Sequence, residues 1–373
     1  MVDGYTRPFL RSEYSTTITN AHQLQLMGVN LAANYTLANT IDMTELSQAS
    51  GLWNTATGFV PIGFRDGVFA LPFSGTFNGM DHTISGLTIH NTAGDNVGLF
   101  SRISFGGTVS NLGLVGGSVT GNSGSTIGEL AGSTYGTITN SYATGAVTGG
   151  DFSSYIGGLV GYNDGTITGS YATGAVTGGD VSTNIGGLVG VNGGTITSSY
   201  ATGAVTGGSN SGDIGGLIGI NSGAVSSSYA TGPVTAGSNS SYGYGGSIGG
   251  LIGYNDGTVT SSYATGPVIG GDGVSAIGGL IGVNKRYEQW QYWRADRMER
   301  RHGVVELRQR HGDGCDQRQL NRRAGGVEHR HGVVEPCHRN SEQRQRQLYD
   351  RWAGGREYRH GVVELRHRGG KRW

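Results

Sequence analysis

The N-terminal part of the sequence holds the side chains that acid–base chemistry would require. The carboxylates are Asp42, Asp66 and Asp81. The histidines are His22 and His82. Such groups, acting with Arg or Lys, could cleave a polysaccharide, as in pectin-cleaving enzymes. However, the chain up to Asn284 contains no Lys and only four Arg, and spacing alone assembles no nucleophile with a base. We therefore interpret these side chains as polar residues of turns and caps. The sequence predicts no catalytic residue and no enzyme.

Four aspartates fall in turns and could bind calcium. Asp151 and Asp180 follow Gly-Gly one repeat apart, and Asp164 and Asp256 lie in Asn-Asp-Gly turns. Stacked carboxylates offer the oxygen ligands that Ca²⁺ takes. However, the calcium-binding GGxGxD nonapeptide is not reproduced, and Asp is common in turns in any case. We predict no metal site and no cofactor, with these aspartates as the calcium alternative.

Threonines recur in pairs separated by one residue, and they form the main candidate binding face. The pairs are Thr137/Thr139, Thr166/Thr168, Thr195/Thr197 and Thr258/Thr260, interrupted by Ala224/Ser226. Flat Thr-X-Thr arrays resemble those of ice-binding solenoids, where the spacing of hydroxyl and methyl groups matches ice. The β-propensity of Thr on a solvated face would give the same pattern. Tyr242 and Tyr244, in the one lengthened turn, are a second candidate contact, for a ligand or for neighbouring loop residues.

A sequence repeat with a period of 29 residues determines where these side chains lie in the fold. The block Ile-Gly-Gly-Leu-(Val/Ile)-Gly starts at Ile156, Ile185, Ile214, Ile248 and Ile277, with degenerate copies at Val97 and Ile127. A second block, Ser-Tyr-Ala-Thr-Gly, has its tyrosine at positions 142, 171, 200, 229 and 263. Each unit reads as short strands separated by turns. One unit cannot bury its own apolar residues, so the units must stack in register.

The alternation of a β-strand predicts which side chains face the core. In Thr166–Tyr171, it places Ile167, Gly169 and Tyr171 on one face and Thr166, Thr168 and Ser170 on the other. We therefore expect Tyr to be buried in each coil and the preceding Ser to be exposed. The sequence predicts an all-β chain, a parallel β-helix (β-solenoid) in which each coil corresponds to one copy of the repeat.

These blocks resemble the GLUG repeat, whose Gly-Leu-X-Gly core is here Gly158-Leu159-Val160-Gly161 and its counterparts. The segments 35–42, 60–63, 73–79 and 82–84 are similar to the coils that precede such repeats. The resemblance implies a parallel β-helix of secreted or surface proteins, often filamentous-haemagglutinin-like bacterial exoproteins. GLUG repeats also accompany IgA-cleaving metalloproteases, but this chain has no His-Glu-X-X-His motif.

The charge of the chain changes sign near residue 285. Up to Asn284 there are four basic and fourteen acidic residues, a balance of −10, and from Lys285 onward the balance is +10. The tail also repeats His-Gly-Val-Val-Glu with the period of the main repeat, at His302, His331 and His360. Back-translation of residues 350–368, read one base later, gives IGGLVGVNTGTVSSSYATG, which is repeat sequence. We interpret the tail as frameshifted repeat sequence that is disordered or non-native; the alternative is an arginine-rich arm that binds nucleic acid.

The sequence thus predicts three regions: N-terminal lead-in and capping coils (1–96), the GLUG-repeat β-helix (97–284) and the Arg-rich tail (285–373). Up to Asn284 the chain has no cysteine, no leader and no apolar run long enough to span a membrane. We expect a fragment of an extracellular or cell-surface protein. Its function is expected to be that of a structural or adhesive rod with a host-surface, matrix or carbohydrate ligand. The alternative is an ice- or carbohydrate-surface binder that uses the Thr-X-Thr face. We expect end-to-end self-association through uncapped strand edges, and no nucleic-acid partner.

Overall fold

The computed structural model describes residues 6–49, 51–64, 71–91, 96–239, 246–274 and 276–285, and the backbone of 295–301 and 304–309. These residues are nearly all in short strands, which wind into a parallel β-solenoid and pair into five sheets. The all-β prediction is confirmed. Within the described ranges, helix is confined to the α-helix Ala21–Leu26 and the 3₁₀ turns Arg11–Glu13, Met27–Val29 and Thr44–Ser47.

From Thr76 onward, the coils contribute strands to all five sheets in turn, so equivalent residues of successive coils lie side by side. The threonine sheet, named for its outward residues, consists of Thr17–Ile18, Asn34–Leu37, Thr76–Asn78, Thr108–Ser110, Thr137–Thr139, Thr166–Thr168, Thr195–Thr197, Ala224–Ser226 and Thr258–Thr260. The tyrosine sheet consists of Ile41–Asp42, Thr83–Ser85, Gly113–Val115, Tyr142–Ala143, Tyr171–Ala172, Tyr200–Ala201, Tyr229–Ala230 and Tyr263–Ala264.

The other three sheets complete the coil. The valine sheet consists of Thr88–Asn91, Ser118–Gly121, Ala146–Gly149, Val176–Thr177, Val205–Gly207, Val234–Ala236 and Val268–Gly270, followed by Ala295–Arg301 and Val304–Gln309 from the tail. The isoleucine sheet consists of Asn96–Val97, Thr126–Ile127, Tyr155–Gly157, Ile185–Gly186, Ile214–Gly215, Ile248–Gly249 and Ile277–Gly278. The asparagine sheet consists of Phe100–Ile103, Ala131–Thr134, Val160–Asn163, Val189–Asn192, Ile218–Asn221, Ile252–Asn255 and Ile281–Asn284.

The glycines of the GLUG block allow the isoleucine and asparagine sheets to pack backbone against backbone. A Cβ atom added at Gly157 would lie 2.1 Å from the carbonyl oxygen of Val160 and 2.8 Å from the amide nitrogen of Gly190. A Cβ atom added at Gly161 would lie 2.7 Å from the amide nitrogen of Ile127 in the preceding coil. Because these contacts are with backbone, no side-chain adjustment can relieve them. The block therefore encodes a close approach of two strands within one coil.

The predicted facing of the Ser-Tyr pair is wrong. Ser170 is fully buried, whereas Tyr171 is half-exposed. The reason lies at the corner between them and the threonine sheet, where Gly169 adopts a φ of +59° and Ser198, its equivalent in the next coil, a φ of +50°. One residue in the left-handed region interrupts the alternation of the strand, so the following side chains exchange faces. Within the Thr-X-Thr strand the alternation holds, because Ile167 is buried between two partly exposed threonines.

A row of buried amides runs along the inside of the asparagine sheet. The Nδ2 of Asn163 donates to the Oδ1 of Asn192 at 2.7 Å, and this bond is repeated from Asn192 to Asn221 and from Asn221 to Asn255 at the same distance. Asn255 then donates to Asn284 at 2.9 Å. Asn192, Asn221 and Asn255 each accept from the coil before and donate to the coil after, so these buried polar groups are satisfied only when the coils are in register.

The segments before residue 96 join the same stack. Thr36 of the strand Asn34–Leu37 pairs with Asn78, and Phe77 pairs with Val109 of the first repeat-like coil. The helix Ala21–Leu26 is capped by Asn20, whose side chain accepts from the amide of Gln23 at 3.0 Å. Its Ala21 and Leu24 belong to the same hydrophobic core as the repeats.

Part of the tail lies against the last coils. Ala295–Arg301 and Val304–Gln309 form an antiparallel hairpin, and the second strand pairs antiparallel with Val268–Gly270. The expectation of a wholly uncapped rim is therefore wrong for the valine sheet. In the other four sheets, the last strand pairs with the strand of the preceding coil, and no described strand pairs with its outer edge. The rest of the tail, and with it the frameshift interpretation, lies outside the described residues.

Candidate functional site: the threonine face

The predicted threonine pairs lie side by side along the outer face of the threonine sheet. Thr166 pairs with Thr137 and Thr195, and Thr168 pairs with Thr139 and Thr197. The rows then pass through Ala224 and Ser226 to Thr258 and Thr260. The structure thus brings all eight predicted threonines into two parallel rows that one alanine and one serine interrupt.

The face is longer than the sequence analysis proposed. The first row extends back from Thr137 to Thr108 and Thr76, and the second from Thr139 to Ser110 and Asn78. A signal for this extension exists in the sequence, because Thr108-Val109-Ser110 precedes Thr137-Ile138-Thr139 by one repeat. Nine strands at roughly 4.8 Å spacing give the sheet a length of about 38 Å.

The outward positions of this sheet carry no charge. From Thr76 to Thr260 they are Thr, Ser, Asn or Ala, paired in register. The hydroxyls are also close enough to bond one another, as between Thr197 and Ser226 at 3.2 Å. The face can therefore offer regularly spaced methyl and hydroxyl groups to a flat, uncharged ligand, but no general acid or base.

Two of the turn aspartates are occupied as backbone acceptors. The Oδ1 of Asp151 accepts from the amide of Asp180 at 2.8 Å, and the Oδ1 of Asp180 accepts from the amide of Ser209 at 2.7 Å. Asp164 and Asp256 are exposed in their turns. Among the described residues, no three His, Cys, Asp or Glu side chains are grouped so that they could hold a metal ion. Calcium binding by these aspartates stays a prediction.

The acid and histidine candidates of the N-terminal region occupy separate local structures. His22 lies between two carboxylates, 3.0 Å from Glu13 through Nδ1 and 3.2 Å from Glu45 through Nε2. Burial alone would lower the pKa of His22, but the hydrogen bonds and charges of Glu45 and Glu13 raise it overall. The Oδ1 of Asp42 accepts from the amide of Thr44 at 2.9 Å, which is a turn role.

The remaining candidates of this set add no further polar cluster. Asp81 is exposed at a φ of +61°, and His82 is partly exposed beside it. Asp66 lies outside the described residues, as do Tyr242 and Tyr244. A ligand contact by the two tyrosines stays a prediction.

Sequence reasoning missed a buried acid. Glu129 is fully buried at the position where later coils have the second glycine of the block, such as Gly158. Its Oε2 accepts from the amide of Gly145 at 2.8 Å, while its Oε1 has no hydrogen-bond partner among the described residues. Burial raises the pKa of this carboxyl to about 8, against the lowering effect of the Gly145 amide. The replacement of Gly by Glu in one copy of the block was the available signal.

The repeat tyrosines stack from coil to coil, as expected for units in register, but on the outside of the coil, and they form the tyrosine ladder. Successive ring centroids are 4.7–5.0 Å apart and the interplanar angles are 1–5°. The members are Tyr142, Tyr171, Tyr200, Tyr229 and Tyr263. Since each ring covers its neighbours, the ladder presents ring edges and hydroxyls to solvent.

The sequence was compared with known families and proteins. The family model of the GLUG motif matches residues 152–177 and 244–269. Halomucin from Haloquadratum walsbyi (strain DSM 16790 / HBSQ001) is 37% identical over 102 residues. This match spans 27% of the present chain and 1% of halomucin. Among the described residues, no helix is long and apolar enough to cross a membrane.

The fold was compared with solved structures. A chain from Bacteroides ovatus described as an immunoglobulin A1 protease superposes with a TM-score of 0.55 at 22% identity, over 74% of this chain and 85% of that one. A second chain, described as IgA1 Protease, gives a TM-score of 0.55 at 20% identity, over 74% of this chain and 21% of that one. At these identities the likeness is one of fold. Together with the two motif matches, the register of the repeated blocks makes the chain a GLUG-repeat protein.

Proposed function

We propose that this chain is a structural and adhesive rod segment of a larger exported or cell-surface protein, with no chemistry of its own. The observation that carries the proposal is the continuity of ladders: the same Ile, Asn, Ser and Tyr positions pair from coil to coil. Such an array is stabilised through contacts between neighbours and can be extended without a new core. The local likeness to halomucin is consistent with a place at the cell surface.

The composition of the described surface also supports a role without catalysis. Among the described residues, Asp42, Asp151 and Asp180 accept from backbone amides, His22 pairs with Glu13 and Glu45, and the buried Glu129 accepts from the amide of Gly145. Under this proposal, the chain shares a scaffold with the immunoglobulin A1 proteases but not their activity.

Two measurements test this proposal. Antibodies against the repeat should label intact cells that produce the protein, and proteolysis of intact cells should remove the label. The purified chain should leave immunoglobulin A1 intact during prolonged incubation, whereas a protease of known activity on this substrate serves as positive control. Cleavage by the purified chain, abolished by a substitution in the chain, would contradict the absence of chemistry; labelling only after cell lysis would contradict the location.

A second candidate function is binding of an ordered surface, ice or a crystalline carbohydrate, through the threonine face. The observation that favours it is the pair of uncharged rows from Thr76 to Thr260. Thermal hysteresis in the parent chain, lost in Thr166→Leu with Thr195→Leu, is the expected result for ice. Both substitutions lie at outward positions, so the far-ultraviolet circular dichroism should be unchanged. A parent chain without hysteresis and without affinity for crystalline carbohydrate removes this candidate.

The proposal includes end-to-end self-association. The last strands of the threonine, tyrosine, isoleucine and asparagine sheets have no further partner among the described strands. Unpaired amides and carbonyls at such an edge favour addition of another strand. Sedimentation should show mass that grows with concentration in the chain truncated after Asn284. A concentration-independent monomer would refute the association.

A further inference from the structure

A cluster of aromatic side chains interrupts the repeat on the outer side of the asparagine sheet. In a repeat, the residues that the fold requires recur in each coil, so residues that the neighbouring coils lack are free for another purpose. The position of Tyr162 holds Val191 and Ile220 in the next two coils and tyrosine again at Tyr254. Tyr162 pairs with Ser133 in the coil before it and with Val191 in the coil after it. One repeat later in the sequence, the positions of Tyr135 and Tyr155 hold Asp164 and Asn184.

The cluster is contiguous and accessible. The ring centroids of Phe105 and Tyr135 are 5.4 Å apart, and Tyr162 is 6.0 Å from both Tyr135 and Tyr155. Phe105 is 75% exposed, and the three tyrosines are partly exposed. The rings are tilted by 35–49°, unlike those of the tyrosine ladder, so they do not cover one another. We call these four residues the aromatic patch.

Polar groups lie beside the two central rings of the aromatic patch, Tyr135 and Tyr162. The guanidinium of Arg102 lies 5.7 Å from the ring centroid of Tyr135, and its Nε donates to the Oγ of Ser133 at 3.4 Å. Asp164 follows Tyr162 by two residues, donates its amide to the carbonyl of Thr134 at 2.8 Å and is exposed in its turn. A ligand that lies across the rings would therefore meet a hydrogen-bond donor beside Tyr135 and an acceptor near Tyr162.

The charge of the repeat region argues against a polyanion as the natural occupant of the aromatic patch. Between residues 97 and 284, Arg102 is the single basic residue, against seven acidic ones. Nucleic acids and acidic glycans would be repelled by such a rod. Uncharged sugars have C–H groups that pack on the negatively polarised faces of aromatic rings, and hydroxyls that bond to Arg and Asp.

We propose that the aromatic patch is a binding site for an uncharged, linear polysaccharide. Successive sugar units pack on Phe105, Tyr135 and Tyr162, Arg102 bonds to hydroxyls of the unit on Tyr135, and Asp164 bonds to hydroxyls of the unit on Tyr162. The spacing between neighbouring rings is comparable to that between consecutive units of such a chain. This site is separate from the threonine face and does not depend on the proposed role of the rod.

The experiment measures binding of the full-length chain to soluble polysaccharides by affinity electrophoresis and calorimetry. The probes are xylan, mixed-linkage β-glucan and galactomannan, with polygalacturonate as the acidic comparison. At least one neutral polymer should bind, and any binding of polygalacturonate should be unchanged in Phe105→Ala, because 22 of the basic residues follow Asn284. Phe105→Ala should weaken binding about 3- to 10-fold, which corresponds to the loss of one aromatic contact. Tyr135→Ala with Tyr162→Ala should reduce it below detection.

Two variants act as controls. Phe152 is 59% exposed and makes no ring contact with the aromatic patch among the described aromatic pairs, so Phe152→Ala should bind as the parent does. Val29 is 54% exposed in the 3₁₀ turn Met27–Val29, outside both the aromatic patch and the threonine face, so Val29→Ala should also leave binding unchanged. The proposal is overturned if none of the neutral polymers binds, if Phe105→Ala binds them as well as the parent, or if polygalacturonate binds most tightly and Phe105→Ala abolishes that binding. Because Phe105 is largely exposed, its variant keeps the test valid even where the double tyrosine variant folds poorly.

Discussion

Replacement of Glu129 by Gln should change how the stability of the solenoid depends on pH. Burial raises the pKa of Glu129 from 4.5 to about 8. The folded chain therefore holds a proton that the unfolded chain releases, and the free energy of unfolding falls as the pH rises between these two values. A difference of this size corresponds to about 5 kcal/mol, at about 1.4 kcal/mol for each pH unit. The full stabilising effect is present below pH 4.5 and is lost above pH 8.

The assay is urea unfolding, followed by circular dichroism, of the parent and of Glu129→Gln at intervals from pH 4.5 to 9. Gln keeps an oxygen that can accept from the amide of Gly145 but carries no titrating proton. The variant should gain stability relative to the parent as the pH rises and reach its largest advantage near pH 8. His22 also has a raised pKa and makes the parent less stable as the pH rises. Because both proteins contain His22, its effect cancels in the difference between them.

A matched control is Glu129→Gly, which restores the residue that later coils have at this position. It should abolish the same pH dependence without supplying an acceptor to Gly145. A difference between the parent and Glu129→Gln that stays constant from pH 5 to pH 8 would refute the reasoning, because it would mean that Glu129 titrates alike in the folded and unfolded chains.

Four other predictions follow from the ladders and the tail. Ser199→Ala removes the buried acceptor of the Ser170 amide, 3.2 Å away, and should cost about 1–3 kcal/mol in urea unfolding. Tyr200→Ala removes a half-exposed ring stacked at 4.7 and 4.9 Å on its neighbours and should cost a similar amount, so a silent Ser199→Ala beside a strongly destabilised Tyr200→Ala would contradict the assigned faces. Asn192→Ala leaves a buried donor and a buried acceptor without partners, at about 1–3 kcal/mol for each, and hydrogen exchange should rise in the flanking coils; unchanged exchange would contradict it. Sequencing of the gene across codons 280–290 should reveal a displaced base, and an intact frame there would refute the frameshift.

The repeat fold was accessible from the sequence because side-chain spacing and strand pairing have the same period. The sequence interval between Ile156 and Ile185 is also the interval between paired strands. Which side chains face the core could be predicted within a strand, but not across the corner between two strands. The left-handed residue before Ser170 has no single residue type, being Gly169 in one coil and Ser198 in the next.

The functional features were harder to predict, because they depend on contacts that no periodic pattern contains. Glu129 contacts Gly145, which lies between two other strands of the same coil. The aromatic patch joins Phe105 and Tyr162, which are distant in sequence and lie in different coils of the stack. A repeat pattern shows which residues depart from it, but only the folded coils show which departures meet.

The tyrosine ladder gives the molecule an optical property. Five phenol rings lie parallel at 4.7–5.0 Å, so their electronic transition dipoles are close and nearly aligned. Dipoles in this arrangement couple, and the near-ultraviolet absorption of the phenols becomes a collective excitation spread over neighbouring rings. Circular dichroism in that band should therefore report the stacking of coils directly. A coil that shifts register or separates from the stack interrupts the coupling at that point. The near-ultraviolet signal should therefore change wherever the stack of coils is broken.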